Sequence, residues 1–226
     1  MSGKTKKREN STWKKYRISP VERTALEKSG YDLIYPPEEQ IPSIIVEHFP
    51  ALGRLTALRF LEWVLQNPEG VISLPTGKTP EYFIRFVQYY LKNWKKKKVR
   101  SELEAMGFSS DKKPELSGLR FVQIDEFYPI DTRQHNSFYY YVNKFYMKGF
   151  GLDPKRALFI NPNEIGIPAG HTVRDIFPDM TVDITLRVRK ARSLVEKRQQ
   201  QVLWAVDQFC TDYERKISEM GGIGFF

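Results

Sequence analysis

The chain has 226 residues, 41% hydrophobic and 28% charged, enough to bury a core and too apolar for a disordered chain. No run reaches the ~18 apolar residues of a membrane-spanning helix, and the polar, basic start lacks the apolar centre of a secretory signal. A single cysteine excludes an internal disulfide and no Cys/His cluster suggests zinc, so the expected setting is the reducing cytoplasm, with no metal or other cofactor.

The 36 Lys and Arg against 27 Asp and Glu give a net charge of +9. Residues 1–18 hold seven cations against Glu9 alone, which accounts for +6 and leaves only +3 for the other 208 residues. That segment reads as a flexible basic arm, with Trp13 and Tyr16 able to pin part of it, and 19–226 as part of one α/β domain. A second basic run, residues 92–100, carries six cations and no acid. Both runs read as solvated surface rather than as a nucleic-acid footprint.

From residue 38 to 66 the apolar positions Ile44, Ile45, Phe49, Leu52, Leu55, Leu58, Leu61 and Val64 recur at threes and fours. This spacing predicts helices broken near Pro50. Residues 70–74 (Gly-Val-Ile-Ser-Leu) form a short β-rich run, a polar glycine-containing loop follows, and Phe83, Val87, Tyr90 and Leu91 mark a helix over 81–91. Strand, loop and helix in that order open a βαβ unit. The charged stretch 92–117 reads as a surface excursion with a marginal helix. Residues 119–124 are a second strand, 125–135 a polar loop, and 136–147 a helix with Asn136 as its N-cap. A third strand is predicted over 157–160, an irregular stretch over 161–186, and a long helix over 189–220 with Cys210 in its packed core face. Gly221 and Gly222 end that helix, and 223–226 read as the first half of a fourth strand. The predicted fold class is a three-layer αβα sandwich with a mainly parallel, Rossmann-like sheet.

Ligands of such sheets bind beyond the carboxyl ends of the strands. The loop after 70–74 offers Gly77 for a turn that exposes amides, the hydroxyls of Thr76 and Thr79, Lys78, and a helix start at Pro80, a combination suited to a phosphate. A plain connector fits the same residues. After the second strand come adjacent carboxylates, Asp125 and Glu126, which point apart if extended and so suit different tasks. One can serve as a general base and the other orient its neighbours. Two carboxylates capping a loop is the bland alternative. His135 reads as a surface residue, and His48 and His171 have no partners in sequence. The Gly77-Lys78-Thr79 run imitates a nucleotide-binding P-loop, but six residues separate Gly70 and Gly77 where that loop has four, which disfavours an NTPase.

The motifs Leu-Pro-Thr-Gly-Lys-Thr-Pro, Ile-Asp-Glu-Phe and Asn-Ser-Phe-Tyr-Tyr-Tyr-Val-Asn-Lys-Phe-Tyr, in that order across residues 70–160, resemble the glucosamine-6-phosphate isomerase/deaminase family. Tyr-Glu-Arg-Lys-Ile at 213–217 and Gly-Gly-Ile at 221–223 resemble its next helix and strand entry. The resemblance covers about the first half of a family member. It implies conversion of glucosamine 6-phosphate to fructose 6-phosphate and ammonia, with Thr76, Gly77, Lys78 and Thr79 on the phosphate, Asp125 as the base and Glu126 in support. The related 6-phosphogluconolactonases carry Arg after the acidic pair; Phe127 matches the deaminases instead. A lactonase-like hydrolase and a non-catalytic sugar-phosphate regulator remain the alternatives. Lys78 departs from the small residue usual in the loop, and 92–117 and 163–195 exceed the family's connections. The glycine-rich motif that supplies the ring-opening acid and histidine would follow Phe226. The chain is therefore expected to be an N-terminal part, inactive alone, with an apolar sheet edge near Phe226 that favours homo-oligomers.

Overall fold

The computed structural model describes residues 18–29 and 43–226. Nearly all of the expected basic arm, Trp13 and Tyr16 included, lies outside these residues, as do positions 38–42 of the first helical stripe. In chain order the elements are α1 (Pro20–Ser29), α2 (Phe49–Gln66), β1 (Val71–Ile72), α3 (Glu81–Asn93), α4 (Lys97–Ala105), β2 (Arg120–Val122), α5 (Phe138–Val142), β3 (Ala157–Leu158), α6 (Val173–Ile176) and α7 (Leu194–Glu219). A π-helical turn, Asn143–Lys148, extends α5.

The three strands pair in parallel in the order β1-β2-β3, with Ile72 opposite Phe121 and Phe121 opposite Ala157. Phe225 forms a parallel bridge with Ile72 on the remaining edge of β1, where Gly224 N donates to Val71 O at 2.9 Å and Ser73 N to Phe225 O at 3.0 Å. Winding therefore proceeds outward from β1 to β3 and then returns past β1, as in α/β sheets that bind ligands where the strand order reverses. The predicted α/β class with parallel strands is what the chain adopts.

Alternation along the strands builds two layers. Ile72, Leu74 and Phe121 enter the main core with Leu58 and Phe60 of α2 and Phe83 and Val87 of α3. Phe60 is fully buried, with its ring 5.5 Å from Phe83 and 5.4 Å from Phe225, both edge-on. Gly53 lets α2 and α3 close on each other, since a Cβ there would stand 2.4 Å from Tyr82 Cβ. Ser73, Val122 and Ile124 face the opposite side, where α7 presents Val206, Phe209, Tyr213 and Ile217 across a cavity. Among the described residues no helix is long and apolar enough to cross a membrane.

Several local expectations change. Pro50 opens α2 rather than breaking a helix, because its missing N–H is not needed in the first turn, and His48 Nδ1 caps that turn by accepting from Ala51 N at 3.1 Å. The 92–117 stretch is partly core: Val99 and Leu103 of α4, then Phe108 and Leu116, are buried, and Trp94 packs edge-on against Phe108 at 5.5 Å. Ser137, not Asn136, caps α5. α7 starts late because Ser193 caps it and Arg189 is held by Asp183 and Glu196, both at 2.7 Å. Cys210 is exposed rather than packed, since only Val202 and Leu203 of α7 are buried.

The core assignment is checked by Phe60→Ala. Removing this ring from Phe83, Phe150 and Phe225 should cost about 3–5 kcal/mol in chemical denaturation; a loss below about 1 kcal/mol would place the core elsewhere.

Candidate functional site

The loop after β1 leaves a fully buried strand and emerges into solvent within two residues. Ser73 and Leu74 are buried, Thr76 is half-buried, and Gly77, Lys78 and Thr79 are exposed. Gly77 has φ +85°, a left-handed conformation that favours glycine, and space around its missing Cβ is open. Glu81 N donates to Lys78 O at 3.2 Å and closes the turn into α3, whose N-terminus has no side-chain cap. The buried Tyr146 hydroxyl, from the π-helical turn, donates to Pro75 O and holds the start of the loop; burial raises its pKa, so it stays a donor.

The segment after β2 is built differently. Asp125 is exposed at its rim, yet partial loss of hydration, and then the negative Glu126 beside it, hold its carboxyl above the ordinary value. Glu126 is engaged by four donors. Its Oε1 accepts from Phe127 N at 2.9 Å and Phe138 N at 3.0 Å, and its Oε2 from Ser137 Oγ at 2.7 Å and Tyr139 N at 2.7 Å. An ionised carboxylate is an acceptor only and can satisfy all four. Reaching a substrate would break this set.

A cavity of about 600 Å³ opens between the sheet and α7. Asp125, Glu126 and Phe127 line it along with Ser73, Phe209 and Tyr213, and the wall is mostly apolar. Residues 76–79 do not line it. The two predicted loops thus share one sheet edge without sharing this cavity. His135 is exposed and also stands outside the lining.

Four polar residues escaped the sequence reading. Ser73 is buried, its Oγ donating to Val122 O at 2.7 Å. Gln123 is buried between the ends of β2 and β3, and the Tyr213 hydroxyl from α7 lies 2.7 Å from Gln123 O. Tyr146 reads in sequence as one more aromatic in a helix. The one legible signal was Gln123, a polar side chain within the apolar run 119–124, which in a buried strand demands partners.

No family model matches the chain. Over 180 residues it is 22% identical to the glucosamine-6-phosphate deaminase of Clostridium botulinum (strain Loch Maree / Type A3), which covers 80% of this chain and 50% of the relative. Among solved structures, a monomeric glucosamine-6-phosphate deaminase described as a missing link of the NagB superfamily aligns with TM-score 0.49 and 16% identity, over 79% of this chain and 50% of that one. The chain spans about half the length of the relatives it matches. The curated relative comes from the family that the loop motifs resemble.

Two substitutions test the electrostatics of the β2 end. Folding raises the Asp125 pKa, so the folded state binds that proton more tightly and its stability falls as pH rises through the folded value. Asp125→Asn should therefore raise the melting temperature at pH near 7, with the gain vanishing below the unfolded carboxylate value of ~4; a loss at neutral pH contradicts the assignment. Glu126→Gln turns an NH2 towards amide donors and should cost about 1–3 kcal/mol in denaturant unfolding.

Proposed function

We propose that the 75–80 loop and Asp125 are the phosphate-binding and proton-transfer parts of a sugar-phosphate isomerase/deaminase site. The substrate is glucosamine 6-phosphate, and the products are fructose 6-phosphate and ammonia. The observation that carries this reading is the parallel pairing of β1 with β2, which puts both loops at one sheet edge. The similarity to a curated glucosamine-6-phosphate deaminase supports the substrate class.

In this reading the phosphate binds the amides of Gly77, Lys78 and Thr79, the Thr79 hydroxyl and the Lys78 ammonium, with Thr76 shaping the turn. The uncapped start of α3 adds its positive end. Asp125 takes the C2 proton of the open-chain sugar, giving an enolamine, and returns it to C1. The resulting C2 imine adds water and expels ammonia. A carboxylate with a raised pKa suits both halves of this transfer, because it is a stronger base and its acid remains a competent donor. Glu126 holds the segment while Asp125 acts. Ring opening calls for an acid that we assign to no described residue of this chain, so negligible ammonia release is expected from these 226 residues alone.

Amide NMR of the labelled chain tests the binding half. Glucosamine 6-phosphate should shift the Gly77, Lys78 and Thr79 amides, glucosamine should not, and Thr79→Ala should weaken binding by about tenfold, the worth of one hydrogen bond to a charged group. Shifts confined to the apolar cavity, or robust ammonia release by the chain, would show that the site is elsewhere.

A further inference from the structure

We infer that Gln123 and Tyr213 are positioning residues for Asp125, acting by replacing one rung of the β2–β3 ladder. The assignment rests on the proposed role of Asp125 as the base. A regular parallel ladder alternates evenly: a residue's N–H donates to the neighbouring strand, and its carbonyl accepts from the residue two further along that strand. Val122 pairs with Leu158, and Gln123 N donates to Leu158 O at 3.0 Å, so the ladder is regular to that point. The next rung would run from Ile160 N to Gln123 O.

That rung is absent, and both of its groups are satisfied by other means. Ile160 N donates instead to the side-chain Oε1 of Gln123 at 3.1 Å. Gln123 O accepts from the Tyr213 hydroxyl at 2.7 Å, and the same hydroxyl stands 2.9 Å from Leu158 O. The other end of the Gln123 amide, Nε2, donates to Asp125 O at 2.9 Å. One side chain thus stands in for a backbone carbonyl and also fixes the peptide that carries the base. Buried backbone groups must find partners, so the strands can part here only because these two side chains supply them. Opening the sheet one residue early turns residues 124–126 out towards the cavity. Tyr213 is half-buried, and burial raises its pKa, so its hydroxyl stays protonated and available.

The decisive variant is Tyr213→Phe, which removes one oxygen, with Gln123→Met as a second. The readouts need no substrate, so they stand apart from the test of sugar-phosphate binding: the carboxyl carbon of Asp125 is titrated by NMR, and amide exchange is followed at residues 123–127 and 160. The charged and titratable groups that line the cavity with it are Glu126 and Tyr128 on its own segment and Cys210, Tyr213 and Glu214 on α7. In both variants the Asp125 titration should move towards the ordinary carboxylate value, and exchange at Ile160, whose N–H donates to the Gln123 side chain, should quicken about tenfold. Thr211→Ala, which alters an exposed hydroxyl on the same helix, should change neither. Unchanged titration and exchange in Tyr213→Phe and Gln123→Met, or an equal response in Thr211→Ala, would overturn the assignment and leave only helix packing. If these changes occur but glucosamine 6-phosphate fails to bind, the rung substitution stands and the substrate reading falls.

Discussion

The helix formed by α5 and its π-helical turn ties the two strand-end loops together, and their placement depends on how its ends are held. At the N-terminal end the Glu126 carboxylate takes two amides and the Ser137 hydroxyl. Towards the other end Tyr146 packs its ring 5.7 Å from Phe121 and hands its hydroxyl to Pro75 O. The loop after β1 and the segment after β2 are thereby referenced to one rigid piece. A hydrogen bond to a charged group is stronger than a neutral one, so the Glu126 end is the firmer anchor. If Asp125 moves a proton, its immediate neighbour in sequence is the residue that keeps its backbone from following.

How far this was legible from sequence depends on whether the signal was local. The strands at 70–74 and 119–124 stand out because buried parallel strands read as short apolar runs between polar loops, and the half-buried 157–160 shows the same short apolar run. Pro50 is ambiguous in sequence because proline both breaks a helix interior and suits its first turn. Only the position of the cap, at His48, distinguishes the two. In 92–117 the lysines dominate the pattern, yet Val99, Leu103, Phe108 and Leu116 reach the core while the charges stay outside. Tyr213 and Gln123 lie 90 residues apart in sequence. No reading of local pattern pairs them, because at helical spacing Tyr213 falls in line with the apolar Val206, Phe209 and Ile217 of α7.

The polarity of the cavity argues for a division of labour along the sheet edge. Its wall is apolar, and Ile124, Phe127, Ile223 and Phe226 are exposed at or near it. A sugar phosphate gains little from such a wall, because burying its hydroxyls and charge without partners is costly. The loop at 76–79 has the opposite character, with free hydroxyls, an ammonium and solvent access. Asp125 stands at the apolar side, where lost hydration raises its pKa, and this is the side on which a base gains strength.

The two strand-loop-helix junctions differ in what they offer an anion. Each presents a helix N-terminus at the same sheet edge, and each such terminus begins with backbone N–H groups that lack partners within the helix. At α5 the chain consumes them itself: Ser137 caps Tyr140 N, and Glu126 neutralises the positive end with a full negative charge. At α3 the position is filled by Pro80, which offers no side-chain acceptor, and Glu81 is turned to Arg85 in an exposed ion pair at 2.5 Å. The field of α3 is left uncompensated by any cap, next to a glycine turn with open space and a lysine. An anion arriving at this edge would meet a negative carboxylate at one junction and unshared donors at the other, a contrast that supports the proposed placement of the phosphate at residues 76–79 and of the base at Asp125.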